Sequence, residues 1–340
     1  MPYINDRLTA ERDVADRQRY TQTLSRQSRF LFEPAQVMAL LCKRIIGQNG
    51  VLDAIDDMLH VVKADIGNKQ RPLSVMMFLG PTGVGKTETA RLIAEAIQGS
   101  CDALVRIDMN TLAQEHYSAA LTGAPPGYVG SKEGHSLLSV DAIAGSFSAP
   151  SVVLFDEIEK ASDEVIRALM NVLDTGKLTL ASGVKELDFR NSLIFMSSNI
   201  GASEVENSRS KRYRFWRRHH QEKQLIDLAL RKKFDPEFIN RIDAVLSFGH
   251  LERAHLSHVL DIELAKFQQR LGKRQVELQL DAECRSYLVE KYDERYGARH
   301  IARRLRRDLE PAVARAMLAN PEHGEFIAFL QNERISVESI

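Results

Sequence analysis

GPTGVGKT, residues 80–87, places Gly80, Pro81, Thr82, Gly83, Val84 and Gly85 ahead of Lys86 and Thr87, a full match to G-x-x-x-x-G-K-[ST]. Such glycines let successive backbone N–H groups wrap a phosphate chain at the positive end of a helix. Lys86 then reaches the β- and γ-phosphates, and the Thr87 hydroxyl is a ligand for Mg²⁺. Further on, VVLFDE (152–157) ends an apolar run in two acids. Asp156 is placed to hold Mg²⁺ through water, which makes Thr87 and Asp156 the metal pair. Glu157 is placed to polarise an attacking water, the general-base role in phosphate hydrolysis. Asn199 closes the stretch NSLIFMSSN, where its amide either orients that water or caps a strand-to-loop turn. Arg241 in FDPEFINRID and Arg299 in YGARH are candidates to stabilise charge on a transferring phosphoryl group, although a solvated or structural role is the default for any one arginine.

These residues need a scaffold, and the apolar patterning supplies one. LSVMMFLG (73–80), ALVRIDM (103–109), SVVLFDE (151–157), NSLIFMSSN (191–199) and DAVLSFGH (243–250) read as strands separated by helical stretches, so a parallel, helix-covered sheet is expected. The helix after the glycine turn spans Thr87 to Gln98 and is closed by Gly99; Ser162 caps another, running to Leu173. Amphipathic helices flank IIGQ (45–48), at 37–42 and 51–62. From Leu251 the pattern turns to helices with two short strands, VELQL (276–280) and EFIAFL (325–330), a second and smaller α+β domain. The expected division is a charged arm over 1–43, a large α/β domain over 44–249 and the small domain over 250–340.

Composition narrows the partners. Lysine plus arginine and aspartate plus glutamate both number 46, so net charge gives no general case for nucleic acid or membrane. Three scattered cysteines fit neither a disulfide framework nor a zinc site, and no stretch approaches a membrane-spanning length. A cytoplasmic protein is expected.

GAPPGYVGSKEG (123–134) is a loop by its prolines and glycines, yet it presents Tyr128 backed by Val129. An aromatic there either tucks into the core or touches something. The ordered set IIGQ, GPTGVGKT, GAPPGYVG, VVLFDEIEKA, LDFRNSLIFMSSNIG, FDPEFINRID and YGAR resembles the Clp chaperone branch of the AAA+ ATPases, above all the second ATPase module of ClpB and ClpA. The resemblance covers the chain from about Arg44 onward and implies a P-loop fold with a C-terminal lid domain. It implies ATP and Mg²⁺ as cofactors, Glu157 as water activator, Asn199 as sensor 1, Arg299 as the sensor-2 arginine acting in cis, and Ile45 and Ile46 in the adenine pocket. Arg241 would be the arginine finger acting on the neighbouring subunit's ATP, so a ring is implied, with a hexamer as its form. The Tyr128–Val129 loop would line the pore and grip a polypeptide substrate, making the protein an ATP-driven unfoldase or remodeller.

Three departures qualify this. The separate first ATPase module and N-terminal domain of the relatives have no counterpart, which leaves a natural single-ring member or an excised module. Substrate or adaptor recognition then falls to the charged arm or to a separate protein adaptor. Between Asn199 and Arg241 there is no Ile-Gly-Phe or Ile-Gly-Leu tripeptide, which argues against a ClpP-type peptidase partner. SRSKRYRFWRRHHQEK (208–223) stands there instead, basic and aromatic, and supports the alternative of a nucleic-acid-associated AAA+ motor; a solvated loop is the plainer reading. Finally, His300 replaces the usual proline after the sensor arginine.

Overall fold

The computed structural model describes residues 28–111, 139–179, 186–201, 218–290, 292–293 and 297–340. In chain order, helices α1 (Pro34–Arg44) and α2 (Asn49–Lys63) lead into strand β1 (Ser74–Leu79), helix α3 (Lys86–Gln98) and strand β2 (Val105–Asp108). Helix α4 (Val140–Ala144), strand β3 (Ser151–Asp156), helix α5 (Asp163–Thr175), the hairpin β4 (Lys177–Thr179) and β5 (Glu186–Asp188), and strand β6 (Ser192–Ser198) follow. Helices α6 (Arg218–Lys233) and α7 (Pro236–Ile239) and strand β7 (Ala244–Ser247) complete the larger domain. The smaller one holds α8 (Leu256–Gly272), β8 (Glu277–Leu280), α9 (Ala282–Glu290), α10 (Ala298–Arg304), α11 (Glu310–Ala319), β9 (Glu325–Gln331) and β10 (Arg334–Ser339).

The main sheet is parallel, in the order β2-β3-β6-β1-β7. Its three middle strands are buried along their whole length, which is why their sequences read as continuous apolar runs rather than alternating ones. Successive residues serve opposite faces: Val75, Met77 and Leu79 enter the core shared with α5, while Met76 and Phe78 enter the core shared with α1, α2 and α3. A third core, around Phe267, Leu288, Ile301 and Phe326, belongs to the small domain. There β8 runs parallel to β9, and β10 antiparallel to it.

Helix ends follow their sequence signals. Ser162 accepts a hydrogen bond from the Val165 amide at the start of α5, and Gly99 ends α3 at φ 75°. Two expectations change. The arm expected to run through residue 43 ends earlier: Phe30, Phe32, Val37 and Leu41 are buried in the α1–α2–α3 core, and Lys63 donates to the carbonyls of Phe30 and Phe32. Each buried phenylalanine contributes about 2–3 kcal/mol, enough to fix the segment despite its charged neighbours. Arg218–Lys223, expected as part of a basic loop, lie in α6, while 208–217 fall outside the described residues. The β4–β5 hairpin and β10 were not anticipated; RISVES alternates weakly and pairs only through the antiparallel partner β9.

Candidate active site

The C-terminal ends of β1, β3 and β6 converge beside the first turn of α3. Gly80, Gly83 and Gly85 have φ of 144°, 79° and 111°, a region an L side chain rarely enters, so the turn between β1 and α3 needs glycine. At Gly80 a Cβ would also lie 2.5 Å from the Phe248 carbonyl oxygen. This turn delivers Lys86 to the buried mouth of α3. Its ammonium donates to the Gly80 carbonyl, to the Pro81 carbonyl at 2.9 Å and to Asn199 Oδ1 at 2.9 Å. Burial lowers its pKa to about 8, with Arg299 adding to the fall and Glu159, Asp156 and Glu157 opposing it. A buried ammonium held mostly by neutral carbonyls is a group prepared for an anion.

Asp156 ends β3 with both carboxylate oxygens engaged. Ser197 on β6 donates to Oδ1; Arg106 on β2 donates to Oδ2 from Nε at 2.9 Å, with its terminal nitrogen at 2.7 Å; Thr87 Oγ1 lies 3.4 Å from that same oxygen. Glu157, next in sequence, has φ 57°, left-handed backbone that is uncommon outside glycine and asparagine. Its amide donates to Ser197 Oγ at 3.1 Å, so one serine ties down both acids. The backbone N–H of Asn199 donates to Glu159 Oε1 at 3.2 Å, fixing the end of β6 against the acidic turn.

The small domain closes the site. Its Arg299 lines the same cavity of about 780 Å³ as Lys86, Thr87, Asp156 and Glu157, and Ile45 and Ile46 line another part of its wall. That volume suits a nucleotide. Ala298 donates its amide to the Gly83 carbonyl at 2.9 Å, joining α10 directly to the glycine turn. Ile45 is buried in the α1–α2–α3 core and Ile46 packs on the small-domain core, so the pair sits on the seam. Beside that seam Gln48 ties the two ends of the large domain together: its side chain donates to the Gly249 carbonyl at 3.0 Å and accepts from the Gly249 amide at 2.9 Å. Lys266 on α8 reaches Glu88 on α3 at 3.6 Å.

Arg241 stands apart. It pairs with Asp174 at 2.7 Å and Glu237 at 3.0 Å and is not among the residues lining the cavity. Tyr128 and Val129 lie outside the described residues. Sequence reading missed Arg106, Ser197, Gln48 and Lys266. A charged residue within the strand stretch VRID and a serine within LIFMSS were the available signals for the first two. Lys266, on a long helix rich in charge, carried none. The described residues fit ATP through the glycine turn and the buried lysine, and fit Mg²⁺ through the Thr87 hydroxyl facing a carboxylate; His300 packs edge-on against Tyr292 and leaves Arg299 in the wall.

The family comparison agrees with this geometry. Residues 71–245 match the AAA domain (Cdc48 subfamily), and residues 251–328 match the C-terminal D2-small domain of ClpB protein. The chain belongs to the Clp-type AAA+ ATPases. As a member of that family it is a nucleotide-binding enzyme that hydrolyses ATP. An ATP-dependent protease ATP-binding subunit-like protein, AmiB, of Pseudomonas aeruginosa is 41% identical, over 98% of this chain and 99% of its own length. Chaperone protein ClpB 1 of Synechococcus elongatus is 36% identical over 88% of this chain, but only 34% of that protein is covered. A closed-state reconstruction of Hsp104 with ATPγS and FITC-casein superimposes with a TM-score of 0.77 at 27% identity, over 90% of this chain and 51% of that one. This AAA+ chain thus spans nearly all of one relative, a third of the ClpB protein and half of the Hsp104 chain. Among the described residues, no helix is long and apolar enough to cross a membrane.

Proposed function

We propose that the chain is one subunit of a ring, in hexameric form, that uses ATP hydrolysis to pull polypeptide through a central pore. The observation that carries this reading is the division of its two candidate arginines. Arg299 lines the cavity from the small domain, whereas Arg241 is held by Asp174 and Glu237 outside it. An arginine outside its own nucleotide site can serve a neighbour's, which requires a heterologous, ring-closing contact.

Within one site, Lys86 binds the phosphate chain, the backbone of 80–85 cradles it, and Ile45 and Ile46 flank the base. Thr87 and Asp156 would hold Mg²⁺, which supplies neutralisation of phosphate charge when bound. Glu157 takes the proton of the attacking water, Asn199 orients that water while sharing Lys86, and Arg299 reports nucleotide to the small domain. Tyr128 and Val129 grip the substrate. The similar Hsp104 was reconstructed together with FITC-casein, which supports a polypeptide as the substrate class. The Pseudomonas relative is named as like the ATP-binding subunit of a protease, so degradation by an added ClpP-type peptidase is the outcome that would overturn the expectation of no such partner.

The test is ATP-dependent loss of fluorescence from a stable reporter bearing an unstructured tail, with wild type and Tyr128→Ala. Loss with wild type alone, while both hydrolyse ATP, is expected. Equal loss with both proteins would remove Tyr128 from its role; no loss with either, in assembled and active protein, would overturn threading.

A further inference from the structure

Asp156 is fully committed to neighbours on either side. Ser197 holds Oδ1, and Arg106 places two donors on Oδ2, the oxygen that also faces Thr87. The two partners of the ion pair differ in freedom: the Asp156 side chain is 8% exposed and that of Arg106 is 51% exposed. The carboxylate therefore cannot leave, and the guanidinium can. Arg106 also lines the nucleotide cavity, on the wall formed by β2, so its release leads into that space rather than into the core. A divalent cation approaching Thr87 and Asp156 meets a positive charge already seated on the carboxylate oxygen between them. Like charges on one oxygen repel each other, and a guanidinium with two hydrogen bonds competes better for the carboxylate than the single-point ammonium of a lysine.

We propose that Arg106 competes with Mg²⁺ for Asp156 Oδ2 and so sets the magnesium concentration at which the site takes up ATP. This rests on the reading of Thr87 and Asp156 as the metal pair. Arg106 is on this view a positioning residue whose displacement accompanies loading. The sign is opposite to that of a residue that merely holds Asp156 in place, because removing the arginine improves metal binding instead of weakening it.

The experiment is magnesium titration of the full chain's binding to a fluorescent, non-hydrolysable ATP analogue, using wild type, Arg106→Gln and Arg106→Lys, together with nucleotide affinity in EDTA. Competition predicts a half-saturating magnesium concentration about fivefold lower in Arg106→Gln, the scale of one partly exposed ion pair. Arg106→Lys, with its charge but without the fork, falls between, and serves alone should Arg106→Gln fail to fold. Affinity in EDTA stays within about twofold of wild type for each. An unchanged or raised half-saturating concentration in both variants overturns the proposal. A large loss of affinity in EDTA also overturns it, making Arg106 a phosphate ligand. If wild type binds the analogue independently of magnesium, the metal pair itself is misassigned and the proposal falls with it.

Discussion

Lys86 carries a clear chemical signature, because burial pulls its pKa from 10.5 down to about 8. Two trends of opposite sign follow. The unfolded chain binds more protons than the folded one between about pH 8 and 10.5, so Lys86 makes the folded protein more stable as pH rises through that window. Its burden below that window is on the order of 3 kcal/mol, relieved as the proton leaves. Bound phosphate needs that proton, so nucleotide affinity moves the other way and falls above about pH 8. Thermal melts without added nucleotide, taken as the difference between wild type and Lys86→Met, should show wild type gaining from about pH 8 to 10. Nucleotide titrations over the same range should show it losing affinity; parallel trends would mean that Lys86 is not the phosphate-binding cation. Glu157 lines the same cavity in a backbone conformation costing on the order of 1 kcal/mol. Glu157→Gln should keep nucleotide binding and lose hydrolysis by at least about a hundredfold in a steady-state phosphate assay. Unchanged turnover would take Glu157 out of the reaction.

Between elements, α10 meets the glycine turn in close contact. Gly297 has φ 54°, and a Cβ on it would sit 2.6 Å from the Gly83 carbonyl oxygen. Gly297→Ala should therefore push the small domain off the turn, break the Ala298–Gly83 hydrogen bond and weaken ATP binding by about tenfold or more, with each domain's own core untouched. Isothermal titration against ATP, beside a melt showing retained cooperative unfolding, checks this; wild-type affinity would mean that the junction yields at little cost. Such a contact between distant segments is the kind that sequence patterns do not reveal. The middle strands β1, β3 and β6 were legible because strands buried on both faces must be continuously apolar; the positions of Lys86 at the start of α3 and of Asp156 and Asn199 at strand ends were legible from their motifs. Arg106 and Ser197 were not, since their meaning depends on which strands lie beside β3. In the order β2-β3-β6 they flank Asp156 from opposite sides, although one precedes it in the chain and the other follows it. Phe30 and Phe32 were hidden for a related reason: a charged stretch reads as solvated until the surface it lies on is known.

At the scale of the whole molecule, the proposed ring turns on Arg241. Its ion pairs with Asp174 and Glu237 connect the end of α5 to α7 and hold the guanidinium at the surface of the large domain. If those pairs were its purpose, Arg241→Ala would cost each subunit a little stability and nothing that another subunit could restore. If it serves the neighbour's ATP, the defect is complementable. A Lys86→Ala subunit lacks a working site of its own but still carries Arg241, so it can complete the site of an adjacent Arg241→Ala subunit. In an equal mixture assembling at random, half of the subunits have a competent lysine and half of those face a neighbour with the arginine. Recovered turnover should then approach about a quarter of wild type, from two parents that are each nearly inactive. Co-assembly verified by differently tagged subunits, followed by phosphate release, makes the measurement decisive. Recovery means that a catalytic site is built from two chains. No recovery in verified mixed assemblies would confine Arg241 to its own subunit and remove the main support for a functional ring.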